Sequence, residues 1–427
     1  VPDLVEVEVA RGDRVVVVSD LHLSATMTDA ARACTDALVA QLTAWAGGGA
    51  VVIAGDGFEL LAGDDPEIGP VLDTHADLCD ALRTWVDAED GRHLVVLSGN
   101  HDHHFVHRDE ENQLEAALAR GETLRPDGSA IHEPPGPSFF QSFLEARMPG
   151  VEIEIAYPTY RFAGVLCTHG HYLDPHARMA GSRGSRLLTR TLWAIAAGGP
   201  EEPTCEADYE SVTTLLTEWL YIAAQMPHGT HAQQNVFSAA QKAGKMVQRA
   251  SAPVRGARRV AARVRDRTEG DTTGLPSEAH FDAVVADEAA RQAREQPVPG
   301  PPADRPQYPE PTVLSRSSPT EHALEAFSRV VANLGYDKEA DRIVFAHTHQ
   351  PLDDVRASHG STRYWNSGCW IYEPDLSSRQ AYARYCRYAW PGTAIVIDDA
   401  EPQPRLLELL ADLNPLSGGP GLPKAPA

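Results

Sequence analysis

The chain has 427 residues, with 60 Asp and Glu against 37 Lys and Arg, for a formal net charge of −23. At 42% hydrophobic and 23% charged it has the composition of a folded globular protein, which excludes a chain disordered throughout; no apolar run reaches the roughly 18–20 residues of a membrane span, and the acidic balance argues against a body coated in nucleic acid or anionic lipid. Its 6 cysteines, with no CxxC pair, read as free thiols in a reducing compartment, and the N-terminal stretch lacks a signal peptide's pattern, so the expected address is the cytoplasm.

Along the chain, Arg14–Ser19 is a valine run, as expected of a strand buried on both faces. Thr28–Trp45 has helical spacing, Ala50–Ala54 reads as a second strand, Ile68–Val86 as a second helix and His93–Ser98 as a third strand. This β-α-β-α-β rhythm predicts a mostly parallel sheet with helices on its faces. A helix near Ser138–Arg147 and strands at Val151–Ala156 and Gly164–Thr168 continue it. After His171 the rhythm stops. Ser185–Ala197, Ser211–Gln225 and Phe281–Gln296 read as helices, and Pro297–Pro311 as a Pro-rich linker. Ser318-Pro319-Thr320-Glu321 is a capping box with Pro at the first helical position, opening a helix to about Leu334. Arg342–Ala346 reads as a strand, and Tyr364–Tyr372, Ala381–Tyr388 and Thr393–Ile397 as strands of an antiparallel layer. The predicted organisation is a core in two parts, 1–171 and 318–413, around a helical insertion, 172–317, with a Gly/Pro-rich tail at 414–427.

Five short motifs follow predicted strands, at the sheet edge where open α/β proteins bind ligands. They are Asp20-Leu21-His22, Gly55-Asp56-Gly57-Phe58-Glu59, Gly99-Asn100-His101-Asp102, His169-Gly170-His171 and His347-Thr348-His349. Taken singly, Asp20 reads as a helix N-cap and Gly55-Asp56-Gly57 as a turn; it is the joint pattern that points to metal. Mixed carboxylate, carboxamide and imidazole donors without thiolate suit Mn, Fe or Zn. So many donors exceed what one ion needs and suit a pair of divalent ions sharing a carboxylate, the apparatus of in-line phosphoryl hydrolysis. Cys167, in a predicted buried strand, reads as core, and His103, His104 and His107 as solvated or supporting histidines.

In order and spacing the motifs resemble those of the calcineurin-like metallophosphoesterases: D-x-H, G-D-x-x-E/D, G-N-H-D, H-G and G-H-x-H. The resemblance covers roughly Asp13–His171 and Ser318–Ile397. It implies a four-layer α/β/β/α sandwich with the insertion as a lid over the site. It implies two divalent ions, Mn favoured, and a hydroxide shared between them that attacks phosphorus. Asp20, His22 and His349 would bind one ion, Asn100, His169 and His347 the other, and Asp56 both. The family pattern puts the ligand before the glycine, so His169 is favoured over His171. His101 would contact the scissile phosphate, oriented by Asp102. Ala346 replaces the usual Gly and is expected to crowd its turn slightly, and Glu59 stands where many members have Asp. The G-D-x-F-E-L wording and the insertion are similar to the subgroup hydrolysing UDP-2,3-diacylglucosamine, but that subgroup carries Arg at the position of His101, so the comparison extends to the lid and not to the substrate. The Tyr364–Gly368 run matches the family's N-x-G stretch and reads as structural.

The insertion concentrates positive charge. Gln241–Arg267 holds nine Lys or Arg and one Asp. Arg178, Arg183, Arg186 and Arg190 lie beside the apolar Leu187, Leu188, Leu192, Trp193 and Ile195. Arg178, Arg183 and Arg186 are the candidate substrate-binding residues, for a phosphorylated small molecule or a lipid-linked diphosphate. Gln241–Arg267 is a candidate contact for a membrane surface or nucleic acid, against the plainer reading of a solvated basic segment. The expected activity is hydrolysis of a phosphate ester or diphosphate, with a nuclease or a peripheral membrane phosphoesterase as alternatives and a non-catalytic scaffold disfavoured by the complete donor set.

Overall fold

The computed structural model describes residues 6–7, 13–60, 68–108, 139–172, 275–294, 321–357, 360–372, 379–398 and 401–416, with isolated residues at 115, 119–121, 374, 376 and within 205–218. The valine run becomes β2 (Arg14–Val18), paired parallel to β3 (Gly49–Ala54) and antiparallel to β11 (Thr393–Asp398). A central strand covered on both faces needs an unbroken apolar run, and Val15–Val18 are all buried. β4 (Arg92–Leu97) and β5 (Ile153–Ala156) extend this sheet in parallel, and β12 (Glu401–Glu408) closes the other edge against β11. The second sheet has the order β1 (Glu6–Val7), β6 (Thr159–Phe162), β7 (Val165–Thr168), β8 (Arg342–Phe345), β10 (Arg363–Asn366), β9 (Leu352–Arg356). Its centre, β7-β8-β10, is parallel, whereas β6 and β9 run antiparallel to their inner neighbours.

Alternation sorts each strand's side chains to two faces. Val15, Val17, Val52 and Val95 of the first sheet meet Phe162, Cys167, Val344 and Trp365 of the second in one core between the sheets. The opposite face of the first sheet, with Val16, Val18, Val51 and Ile53, is covered by α1 (Asp29–Thr43), α3 (Ala76–Asp87) and α4 (Phe139–Arg147) through Leu38, Leu82 and Leu144. Ile343, Phe345 and Tyr364 of the second sheet are covered by α6 (Glu321–Leu334) through Phe327, Val330 and Val331. The resulting order is helix, sheet, sheet, helix. Each fully buried Val, Leu or Phe contributes roughly 1.5–3 kcal/mol, so these three apolar layers hold the arrangement.

The predicted helix Ile68–Val86 is two helices, α2 (Ile68–Thr74) and α3. The break is the buried His75, which leaves helical geometry and whose Nε2 lies 3.1 Å from the carbonyl of Ser24, a bond to a loop that a continuous helix would not make. Ala381–Tyr388 is no strand. It lies in α7 (Arg379–Tyr388), because Tyr382, Tyr385, Cys386 and Ala389 share one buried helical face, packed against Phe281 and Val284 of α5 (Glu278–Arg294). The predicted strand Tyr364–Tyr372 ends at Asn366, and Gly368 turns in the left-handed region at φ 72°. The expected single antiparallel layer is also corrected, since β10 pairs in parallel with β8 while β11 joins the other sheet. Strands β6, β9 and β12 have no counterpart in the sequence reading. Among the described residues no helix is long and apolar enough to cross a membrane. Ser185–Ala197, most of Ser211–Gln225, Gln241–Arg267, Pro297–Pro311, Ser318–Thr320 and Arg178, Arg183, Arg186 and Arg190 lie outside the described residues.

Candidate metal centre

The carboxyl ends of β2, β3, β4, β7 and β8 meet, and the loops that leave them bring all seven predicted ligands together. Asp20 lies 3.3 Å from His349, and His22 lies 3.2 Å from the same imidazole. Asp56 lies 3.2 Å from His169 and 3.9 Å from His22, and Asn100 Oδ1 lies 3.2 Å from His169 Nε2. Two donor sets result, Asp20/His22/His349 and Asp56/His169/His347, and a further grouping, His22/Asp56/His101, overlaps both.

The backbone is bent to make this possible. Asp20, His22, Asp56, His347 and His349 have φ of 47°, 45°, 48°, 67° and 55°, and among the described non-glycine residues only Ala163 and Asp354 share that region. Such residues cost about 1–3 kcal/mol each and persist where surrounding structure fixes them. Here the Asp20 and His22 N–H groups bond the carbonyls of Gly55 and Asp56 at 3.1 and 3.0 Å, and the Ala346 N–H bonds that of His169 at 3.0 Å. Asn366 donates to the Ala346 carbonyl at 2.8 Å, so the Asn366–Gly368 run braces the His-x-His turn, the structural role expected of it. Ala346 itself is fully buried, and the left-handed positions of this turn are His347 and His349.

Tautomers follow from the outer hydrogen bonds. His169 donates Nδ1–H to the Ala54 carbonyl at 3.0 Å, and His22 donates Nδ1–H to Glu59 at 2.9 Å. Each neutral ring then points an Nε2 lone pair at other lone-pair atoms, the arrangement in which imidazole serves as a metal ligand. Asp20 Oδ1 is buried without a hydrogen-bond partner. The donor set therefore fits divalent cations, with oxygens and imidazole nitrogens converging to 3.2–3.3 Å of one another. Protons respond to the same field. Burial opposes charging His169, yet Asp56 and Asp20 raise it to about 9. Burial alone would raise Asp56, but His169, His101 and His22 hold it well below the carboxylate range.

His101 is placed beside the donor sets, its N–H bonded to Asp56 Oδ1 at 2.7 Å and its side chain 28% exposed. The residue that orients it is not Asp102 but Glu59, whose Oε1 lies 2.9 Å from His101 Nδ1. The Asp102 carboxylate faces the other way and accepts the N–H groups of Gly99, Gly57 and Phe58 at 2.5, 2.9 and 3.3 Å, stapling two loops together. Glu59 is the functional residue that the sequence reading missed. Its one signal is the extra methylene relative to Asp, which lets it span His22 and His101.

His171 is not grouped with Asp56 and His169; it lies in a separate buried group with His103 and Glu210 whose atoms are also close enough to hold an ion. His103 is therefore core and not solvated. Cys167 is fully buried and its thiol is pushed far up by burial, in keeping with a core role. No family model, curated protein or solved structure matches the chain.

Proposed function

We propose that the protein is a metal-dependent phosphoesterase of the calcineurin-like kind, which hydrolyses a phosphate ester or diphosphate. The observation that carries the reading is Asp56, one carboxylate at the junction of two donor sets. Asp20, His22 and His349 hold one divalent ion, Asn100, His169 and His347 the other, and Asp56 both; Mn is favoured over Fe or Zn. When bound, such a pair polarises phosphoryl oxygens and lowers the pKa of water to a value useful at neutral pH.

The chain's own residues supply the rest. His22 and His169 are fixed as Nε2 donors by Glu59 and the Ala54 carbonyl. Before any ion binds, burial opposes charging His101, but Glu59 and Asp56 raise the imidazole to about 10. With Nδ1 committed to Glu59, Nε2–H is left to face a phosphoryl oxygen and to protonate the departing one. General-acid work of this kind is worth roughly 10²–10⁴-fold in rate.

The test is a hydrolysis screen after Mn reconstitution, covering bis-p-nitrophenyl phosphate, p-nitrophenyl phosphate, nucleoside diphosphates, lipid-linked diphosphates and DNA. Asp56→Asn is expected to abolish turnover and lower metal content. His101→Ala is expected to lower kcat by about 10²–10⁴-fold with metal content kept. Turnover unchanged in both variants would falsify the reading.

A further inference from the structure

Glu210 belongs to the insertion, yet its side chain reaches the catalytic face of the sheets. Asp208–Glu210, Thr214, Thr217 and Glu218 are helical, and Tyr209 is fully buried against Tyr172. The Glu210 carboxylate accepts His103 Nε2–H at 2.7 Å on one oxygen and the hydroxyls of Tyr157 and Tyr172 on the other. His171 Nε2 lies 3.2 Å from the Tyr157 hydroxyl, and the Thr217 hydroxyl lies 3.3 Å from His103 Nδ1. Glu218 adds a partly buried contact to His104 at 3.0 Å.

This group of imidazoles and a carboxylate could be a third metal site or a hydrogen-bonded clamp, and the distances decide. In the two donor sets described above, lone-pair atoms stand 3.2–3.3 Å apart. Around Glu210, His103 Nε2 lies at 2.7 Å, the separation of a charge-assisted hydrogen bond, and the Tyr157 and Tyr172 hydroxyls donate to the other oxygen, whereas His171 Nε2 stands 3.9 Å from it. The His103 and tyrosine hydrogens all have the Glu210 carboxylate as acceptor, while His171 Nδ1 is buried without a hydrogen-bond partner.

We propose that Glu210 is a positioning residue. It clamps the inserted helix onto two loops at once, the one carrying His101 through His103 and the one carrying His169 through Tyr172, with His171 reached by way of the Tyr157 hydroxyl, and so makes that helix a wall of the site and fixes His101 for its task. The effect on turnover rests on the phosphoesterase reading; the clamp itself does not.

Full-length protein, 15N-labelled at histidine and loaded with Zn, provides the test. In Glu210→Gln, which keeps an acceptor for the tyrosines, the ring signals of His101 and His169 are expected to shift together with those of His103 and His171, while that of His93, at the far end of β4, stays in place. A shift confined to His103 and His171 overturns the proposal. Metal content is expected to be equal in wild type, Glu210→Gln and Glu210→Ala; loss of one ion in the variants overturns it, because Glu210 is then a ligand. In kinetics on bis-p-nitrophenyl phosphate, either variant is expected to lower kcat about tenfold or more with little change in KM. In a His101→Ala background it should cost almost nothing further; full additivity there marks a merely structural residue and also overturns the proposal. Should wild type hydrolyse nothing, the phosphoesterase reading fails while the ring signals still decide the clamp. Should Glu210→Ala not fold, Glu210→Gln carries each measurement.

Discussion

Glu59 holds two imidazoles with one carboxylate, His22 on Oε2 and His101 on Oε1, both at 2.9 Å. Burial pushes its pKa up, but His101 and His22 pull harder and leave it at about 2 against an ordinary 4.5. A depressed acid stabilises the fold above its unfolded pKa, and that stabilisation is lost as pH falls from about 4.5 through about 2. Metal-free Glu59→Gln is therefore expected to lose up to roughly 3 kcal/mol at pH 7. Its melting temperature, by calorimetry, should vary less than wild type's between pH 5 and pH 2; parallel profiles would contradict the account. Glycine matters at Gly99 for the opposite reason, lack of bulk. A Cβ there would stand 2.2 Å from Asp56 Oδ1 and 2.7 Å from His169 Nε2. Gly99→Ala should therefore lose metal, by elemental analysis of purified protein. Gly69→Ala in α2, where no atom beyond its chain neighbours and the helix's own backbone lies within 4 Å of the added Cβ, should keep its metal. The seven candidate ligands were legible because each sits within four residues of the end of a strand. The roles of Glu59 and Asp102 were not, because a motif gives spacing along the chain and not which of two nearby carboxylates a ring turns towards.

At the scale of elements, legibility followed the period of the pattern. β2, β3 and β4 are buried on both faces and announce themselves as valine-rich runs. β6, β9 and β12 lie toward sheet edges, carry polar residues and give no such signal. In α7 the aromatic residues suit a half-buried strand as well as a helix, and it is packing against α5 that selects the helix. On the second sheet, α6 presents Phe327, stacked on Phe345 with ring centroids 4.3 Å apart. Its ring also lies 3.4 Å from where a Cβ on Gly170 would sit, so α6 supports the His169 loop as well as the sheet. Phe327→Ala should cost about 3–5 kcal/mol by urea unfolding. Phe327→Leu, which fills more of the space, should cost distinctly less; equal losses would place the importance in the ring stacking and not in the volume.

At the scale of the molecule, the insertion interrupts the chain but not the core. Both sheets are built jointly, a block of strands from before it meeting a block from after it: β8 pairs with β7, and β11 pairs with β2. The metal centre is divided in the same way, since Asp20, His22, Asp56, Asn100 and His169 come before the insertion and His347 and His349 after it. Neither part can bury its strands alone. Without β11, the apolar β2 becomes an exposed edge, and without β8 so does β7, each a template for aggregation. Residues 1–172 made alone should therefore be insoluble or associate. Residues 1–268 and 269–427 made together should instead pair and bind metal, since the cut falls outside every strand of both sheets. Co-purification through a tag on one fragment, followed by elemental analysis, measures this. A soluble, monomeric 1–172 with a cooperative unfolding transition would show that the first part is a domain in its own right, and that the second merely docks beside it.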